Sequence, residues 1–240
     1  MIVIPMAGLS RRFSEAGYKS PKYMLDLHGR TVFSHAVDSF RTYFKDTSFM
    51  FVALEMPGIT KFIESESALL GVADARVVTL DVATAGQAET VERGIDRCGL
   101  TDDEPLTIFN IDTFRPGFVL PDASWMRHSA GYLEVFRGSG ANWSYVRPAA
   151  DAEPRVLETA EKRPISDLCC TGLYHFSASG HFRSALAAER NAPSAQELYV
   201  APLYNHLIAA GLTVHYNLIA AGSVLFCGVP AEYEALRDSR

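Results

Sequence analysis

Short apolar runs alternate with stretches of helical spacing along the first half of the chain. The apolar runs predict buried strands at residues 2–4, 49–54, 76–80 and 106–111. Apolar residues recur at helical spacing in residues 31–43, 58–70 and 87–98. Because strands that alternate with helices form βαβ units, the pattern predicts a three-layer α/β fold with a mostly parallel sheet flanked by helices. Pro5 should end the first strand or lie at a sheet edge.

The pattern becomes more mixed after residue 115. Short strand-like segments, separated by Gly, Asn and Pro, occur at residues 132–136, 143–146, 155–157, 173–176, 214–218 and 224–226. Helical spacing predicts helices at residues 179–189, 195–210 and 230–237. We expect this half to pack on the same sheet, so that residues 1–240 form a single domain.

The first predicted strand leads into a turn that carries positive charge. The turn is Ala7-Gly8-Leu9-Ser10, and Arg11, Arg12 and, after a loop, Lys22 follow it. Turn N–H groups with long cations beside them suit a polyphosphate, and a solvated basic loop is the alternative interpretation. The turn matches neither a Walker loop nor a dinucleotide-binding fingerprint.

A carboxylate follows the predicted strand at residues 106–111. Asn110-Ile111-Asp112 stands where that strand ends. In a parallel sheet, ligands bind outside the carboxyl ends of the strands, and Mg²⁺ prefers one or two carboxylates together with phosphate oxygens. Asp112 is therefore a candidate metal ligand, and an Asp that caps the next turn is the alternative.

Composition narrows the classes of function. The net charge of −6 and the pI of about 5.6 argue against nucleic-acid binding but not against a local phosphate site. The histidines show no ligand spacing, and Cys98, Cys169, Cys170 and Cys227 read as reduced thiols of a cytoplasmic protein. Since no apolar run has the length of a membrane span, we expect neither a membrane nor a nucleic-acid partner.

These residues together resemble the nucleotidyltransferases that activate sugar 1-phosphates. Ala7-Gly8-Leu9-Ser10-Arg11-Arg12-Phe13, followed by Pro21-Lys22, is similar to their signature loop. The resemblance implies a fold of the nucleotide-diphospho-sugar transferase type, with Arg12 and Lys22 catalytic and residues 7–11 at the nucleotide. Ser10 stands where a Gly is usual, and Arg11 stands where a Ser or Thr is usual.

The resemblance extends along nearly the whole chain. Gly86 and Gln87 correspond to the helix start beside the nucleotide base. Asn110 and Asp112 match the N-x-D segment, which implies that Asn110 binds the nucleotide and that Asp112 is catalytic and binds the metal. The implied acceptor-binding residues are Glu161, Lys162, Gly172, Tyr174 and Glu197. Each of these has a structural alternative: a surface ion pair for Glu161 and Lys162, a core position for Tyr174, and complementation of a helix N-terminus for Glu197.

One position departs from the family pattern. Many members carry a second metal-binding Asp before a terminal Gly-Thr-Pro, whereas this chain has Cys227-Gly228-Val229-Pro230. A thiol is a poor ligand for Mg²⁺. Either one carboxylate suffices, another acid substitutes, or catalysis is impaired.

The resemblance implies transfer of a nucleotidyl group from an NTP to a sugar 1-phosphate or a related phosphorylated acceptor, with Mg²⁺ as cofactor and pyrophosphate as product. It implies a nucleotide-binding half at residues 1–115 and an acceptor-binding half at residues 116–240. Two alternatives remain at this point. One is a non-catalytic nucleotide or nucleotide-sugar binding protein of the same fold, and the other is a glycosyltransferase, which would not need Arg12 and Lys22 at the first turn.

Overall fold

The computed structural model describes residues 1–239. Among these residues, nine strands form one sheet and seven α-helices flank it, which confirms the predicted α/β class with a mostly parallel sheet. The helices are α1 (Arg11–Glu15), α2 (Val32–Asp38), α3 (Ile59–Leu70), α4 (Gln87–Arg97), α5 (Ser179–Asn191), α6 (Leu203–Ala209) and α7 (Pro230–Asp238). The strands of the first half are β1 (Ile2–Met6), β2 (Asp26–Leu27), β3 (Arg30–Thr31), β4 (Ser48–Leu54), β5 (Asp74–Leu80), β6 (Leu106–Phe109) and β7 (Thr113–Phe114). Those of the second half are β8 (Gly131–Arg137), β9 (Ser144–Pro148), β10 (Val156–Glu161), β11 (Leu168–Phe176), β12 (Val214–Ile219) and β13 (Leu225–Phe226).

The described chain divides into two compact units, each assembled from separate stretches. We call the first the N-terminal unit; it comprises Ile2–Ala83, Phe109–Val119 and the chain from Gly222. The second is the central unit, which comprises Met1, Thr84–Ile108 and Leu120–Ala221.

The N-terminal unit is built on parallel strands. β1 pairs with β4, and β4 pairs with β5, in parallel register. Phe33 of α2 packs on Phe51 of β4 with ring centroids 5.0 Å apart, and both side chains are fully buried. Because β1 and β4 are buried on both faces, their sequences read as continuous apolar runs, as predicted.

The central unit contains the antiparallel pairs. β11 pairs antiparallel with β8 and β9, β9 pairs antiparallel with β10, and β12 adds to β8 in parallel. β11 is buried along its whole length. The mixed pattern predicted for the second half is thus present in this unit. In residues 1–239, no helix combines the length and the apolar character that a membrane crossing requires.

The first strand extends beyond its predicted end. The register of β1 with β4 continues through Pro5 to Met6, so the strand does not end at the proline and does not lie at a sheet edge. A proline keeps its carbonyl acceptor, and its fixed φ lies within the extended region.

The predicted helix 31–43 stops at Asp38, because Phe40 adopts φ −102° and ψ 22°. Its ring packs 4.8 Å from that of Phe109, so tertiary packing overrides the helical spacing there.

The predicted helix 195–210 is much shorter in the structure. α6 starts only at Leu203, after Pro202. The backbone N–H of Leu198 donates to the carbonyl of Ala85 at 3.0 Å, and the carbonyl of Leu198 accepts from Ala88 N–H at 2.9 Å. These bonds to a distant segment replace the helical hydrogen bonds that the spacing predicted.

The buried His175 makes stability depend on pH. Its Nδ1 lies 2.9 Å from Thr107 Oγ1, and burial lowers the pKa of His175 to about 4. The unfolded chain therefore binds a proton below about pH 6.5 that the folded chain takes up only near pH 4, so stability is complete above pH 6.5 and falls with pH below it.

We expect the free energy of unfolding to decrease by about 3 kcal/mol from this group between pH 6.5 and pH 4, at about 1.4 kcal/mol per pKa unit. The measurement is urea unfolding across that pH range for wild type and His175→Gln. The variant should show the shallower acid slope. Equal slopes would contradict the assignment.

Candidate active site

The turn after β1 exposes backbone at the carboxyl end of a parallel strand. Gly8 and Leu9 are exposed, and a side-chain carbon at Gly8 would have no described atom within 4 Å. Ser10 adopts the left-handed conformation, with φ 50° and ψ 34°, immediately before α1. A Gly, which the family pattern expects there, adopts this conformation without strain, whereas Ser10 does so at a cost of about 1 kcal/mol. Arg11 and Arg12 are exposed at the start of α1.

Lys22 and Asp112 meet in the N-terminal unit. Lys22 opens a 3₁₀ turn, Lys22–Met24, and its backbone nitrogen lies 3.5 Å from Ser10 Oγ. Its Nζ donates to Asp112 Oδ2 at 2.5 Å, and both side chains are mostly buried. The structure thus brings together two of the three residues predicted to be catalytic, while Arg12 lies on the exposed side of α1.

The pairing of β7 with β13 places the chain end beside Asp112. Phe226 pairs with Thr113, and the next backbone N–H, that of Cys227, donates to the carbonyl of Asp112 at 2.8 Å. Cys227 is fully buried. Burial, followed by the negative charge of Asp112, raises the pKa of the Cys227 thiol to about 12. The thiol is therefore protonated near neutral pH, and sulfur is a poor ligand for Mg²⁺.

Gly228 lies close to two carboxylates. A side-chain carbon at Gly228 would lie 3.2 Å from Asp112 Oδ2 and 3.6 Å from Glu232 Oε2. The N–H groups of Gly228 and Val229 donate to Glu232 Oε2 at 2.7 and 3.2 Å, which holds this carboxylate at the start of α7. Two carboxylates beside one glycine supply the hard oxygen donors that Mg²⁺ prefers, so the residues present fit that ion. Glu232 is a candidate for the acid that Cys227 does not provide.

A second polar cluster lies in the central unit. Lys162 Nζ donates to Tyr199 Oη at 2.7 Å and lies 3.9 Å from Glu161 Oε1. Ser144 donates to the carboxylate of Glu161. Burial raises the pKa of Glu161, and the hydrogen bond from Lys162 to Tyr199 raises the pKa of Lys162. The cluster therefore presents an ammonium and a mostly buried carboxylate side by side.

The backbone at the start of α4 packs against the segment that carries Tyr199 of this cluster. Gly86 packs so closely that a side-chain carbon there would lie 2.6 Å from the backbone nitrogen and oxygen of Leu198. Gln87 is the first residue of α4, and Leu198 stands between Glu197 and Tyr199. The close approach therefore ties the predicted base-binding helix start to the segment that supplies Tyr199.

Four other predicted site residues occupy different surroundings. Asn110 follows β6 and accepts a backbone hydrogen bond from Thr113. Glu197 is exposed. Gly172, with φ 95°, lies in β11 at an irregularity of its register with β8, and Tyr174 is buried in the same strand. Their contacts with ligands, like those of all the predicted site residues, stay predictions.

Three residues in the two clusters were not predicted from the sequence. Glu232, Ser144 and Tyr199 join them through contacts distant in the chain. Glu232 carries a local signal, because an acid two residues after a proline at a helix start is typical of a capping arrangement. That signal indicates a cap and does not by itself indicate a metal site.

The parallel strands, the charged turn at their carboxyl edge and the paired lysine and aspartate define a protein of the sugar-phosphate nucleotidyltransferase class. The crystal structure of the nucleoside-diphosphate-sugar pyrophosphorylase from Vibrio cholerae RC9 is similar over 100% of both chains, with 47% sequence identity and a TM-score of 0.94. The chain belongs to this nucleoside-diphosphate-sugar pyrophosphorylase family, whose members are nucleotidyltransferases. The resemblance inferred from the signature loop is confirmed.

More distant structures share the fold. A putative glucose-1-phosphate thymidylyltransferase from Bacillus anthracis, in complex with a sucrose, has 17% identity and a TM-score of 0.75 over 100% of this chain and 96% of its own. The inositol-1-phosphate CTP transferase from T. maritima has 15% identity and a TM-score of 0.74 over 98% of this chain and 94% of its own. Comparison with protein-family models found no match, and comparison with curated proteins found none.

We expect Cys227 to resist alkylation in the folded protein, because its thiol is buried and protonated. Treatment with iodoacetamide at pH 8 followed by mass spectrometry should show labelling of the half-buried Cys98 and none of Cys227. Denatured protein, in which all four cysteines should react, is the control. Labelling of Cys227 as fast as Cys98 would contradict this description of the site.

Proposed function

We propose that this protein transfers a nucleotidyl group from an NTP to a sugar 1-phosphate or a related phosphorylated acceptor, and that it requires Mg²⁺. An acceptor phosphate oxygen forms a bond to the α-phosphorus, the bond from that phosphorus to the bridging oxygen breaks, and pyrophosphate leaves. The paired Lys22 and Asp112 next to the exposed glycine turn carry this proposal. Because the acceptor phosphate is the nucleophile, catalysis needs positioning and charge stabilisation rather than a strong base.

The N-terminal unit would hold the triphosphate. The turn at residues 7–10 is open at Gly8, where a side-chain carbon would have no described atom within 4 Å, and turn N–H groups bind phosphate oxygens. Arg12, exposed at the start of α1, would contact the β- and γ-phosphates. Lys22 would stabilise the charge that grows on the α-phosphate.

Asp112 and Glu232 would hold the Mg²⁺. Both carboxylates lie beside Gly228. The ion supplies charge neutralisation of the phosphates. In the structure Asp112 is paired with Lys22, so the lysine would exchange its carboxylate partner for phosphate when the nucleotide binds. Glu232 also weakens the case for a non-catalytic binding protein, which rested on Cys227.

The central unit would hold the acceptor. Lys162, fixed by Tyr199, offers an ammonium to a phosphate, and the mostly buried Glu161 offers an oxygen acceptor to a sugar hydroxyl. Gly86 and Gln87 at the start of α4 would lie at the nucleotide base, as the family resemblance implies.

All four cysteines are free thiols. Free thiols and the proposed use of an NTP together support a cytoplasmic location.

The reaction is tested by pyrophosphate release with four NTPs against a panel of sugar 1-phosphates and phosphorylated alcohols. One NTP and one acceptor should give turnover that stops when EDTA is added. Binding of NTP without turnover on any acceptor would support the non-catalytic alternative instead.

We expect Lys22→Ala to fold normally and to lose about 10²–10³-fold in turnover, because one charge contact to phosphate is worth about 2–4 kcal/mol in a water-poor site. Lys19→Ala is the matched control, since Lys19 is an exposed lysine of the same loop, and it should retain wild-type turnover. Pyrophosphate release measures both variants. Wild-type turnover by Lys22→Ala would refute the role assigned to this lysine.

We expect Asp112→Asn to abolish Mg²⁺-dependent turnover and to leave NTP affinity in EDTA unchanged or improved. A carboxylate near a triphosphate repels it unless a cation lies between them. The backbone bond between Asp112 and Cys227 does not depend on the side chain, so the local fold should survive. Calorimetric titration of NTP, with EDTA and with Mg²⁺, makes the measurement. If affinity falls equally in both conditions, Asp112 has a structural role.

A further inference from the structure

Three side chains with metal-binding atoms converge in the central unit, apart from both clusters described above. They are His128, Glu153 and His215, and their ligand atoms all lie within 4.8 Å of one another. His128 ends a short 3₁₀ helix, Ser124–His128, and His215 is the second residue of β12. Their distance in sequence explains why no ligand spacing was visible among the histidines.

The separations match the geometry of a transition-metal site. Glu153 Oε2 lies 3.3 Å from His128 Nε2 and 3.6 Å from His215 Nε2. Ligand atoms of a tetrahedral zinc ion, each about 2.0–2.1 Å from the metal, are roughly 3.3 Å apart. The half-exposed side chain of His128 can rotate to shorten the remaining separation without any change in the core.

Hydrogen bonds to the other side of the ring determine the tautomer of His215. Its Nδ1 lies 2.8 Å from Ser129 Oγ, and that hydroxyl donates its hydrogen to the carbonyl of Gly131 at 2.6 Å. Ser129 Oγ must therefore accept from Nδ1–H of His215. The lone pair of His215 is then on Nε2, the atom that faces Glu153. A ligating histidine typically has its other ring nitrogen bonded in this way.

This lone pair lacks a partner. His215 is fully buried, and its Nε2 has no hydrogen-bond partner among residues 1–239. The distance of 3.6 Å between His215 Nε2 and Glu153 Oε2 is too long for a hydrogen bond. A carboxylate also repels the lone pair of a neutral imidazole that faces it. Trp125 stacks on the ring at 4.9 Å and keeps it in this orientation. A cation between the three side chains would satisfy all of them.

We propose that His128, Glu153 and His215 bind a divalent transition ion of the zinc class, with water in the fourth position. Imidazole nitrogen suits zinc, cobalt or nickel and does not suit Mg²⁺, so this site is chemically distinct from the one at Asp112. The half-exposed His128 and Glu153 give the ion access from solvent. Bound metal would tie the 3₁₀ helix and the segment before β10 to β12, and so stabilise that part of the central unit.

The test uses full-length protein stripped with chelator and then titrated with Zn²⁺ by calorimetry. Wild type should bind one equivalent, and its Tm should rise with added Zn²⁺. His128→Ala and Glu153→Gln alter exposed or half-exposed ligands and should each weaken binding at least about tenfold. His28→Ala, a change at an exposed histidine outside the cluster, should bind as wild type does.

Titration with Co²⁺ identifies the ligands. The expected spectrum is that of a four-coordinate site with nitrogen and oxygen ligands and no thiolate-to-cobalt charge-transfer band. A thiolate band would place the ion at a cysteine and overturn the proposal. So would the absence of one-equivalent binding, or equal affinities in wild type, His128→Ala and Glu153→Gln. None of these readouts depends on nucleotidyl transfer.

Discussion

The ion pair between Lys22 and Asp112 is the interaction on which the candidate active site depends. It joins residues 90 positions apart, and both charges are mostly removed from water. Removing one partner leaves the other charge poorly compensated, so each needs a replacement when the pair opens. In the proposed reaction, a nucleotide with its cation would supply both replacements at once, an anion for the lysine and a metal for the carboxylate. Until then the two side chains neutralise each other.

Segments that are distant in the sequence bring the charged side chains of each unit together. The N-terminal unit takes residues from the start, the middle and the end of the sequence, and the short pairing of β7 with β13 brings Gly228 and Glu232 to Asp112. The central unit holds its polar cluster separately, around Lys162 and Tyr199. Each unit therefore carries its own pairing of an ammonium with a carboxylate.

The sequence predicted those parts that depend on local pattern. β4 is apolar throughout because both of its faces are buried, and the signature loop is contiguous from Ala7 to Phe13. It did not predict the non-helical backbone around Leu198, whose hydrogen bonds go to a segment more than a hundred residues earlier. The presence of Glu232 in the candidate active site was not predicted, for the same reason. Its position opposite Asp112 depends on strand pairing between distant segments, which periodicity cannot detect.

The contact between Gly86 and Leu198 limits how this protein can diversify. The atoms that exclude a side chain at position 86 are main-chain atoms of Leu198, and these are present whatever residue occupies position 198. No second substitution can therefore compensate for the loss of this glycine. Any larger residue at position 86 would have to displace the main chain of Leu198, and with it the adjacent Glu197 and Tyr199.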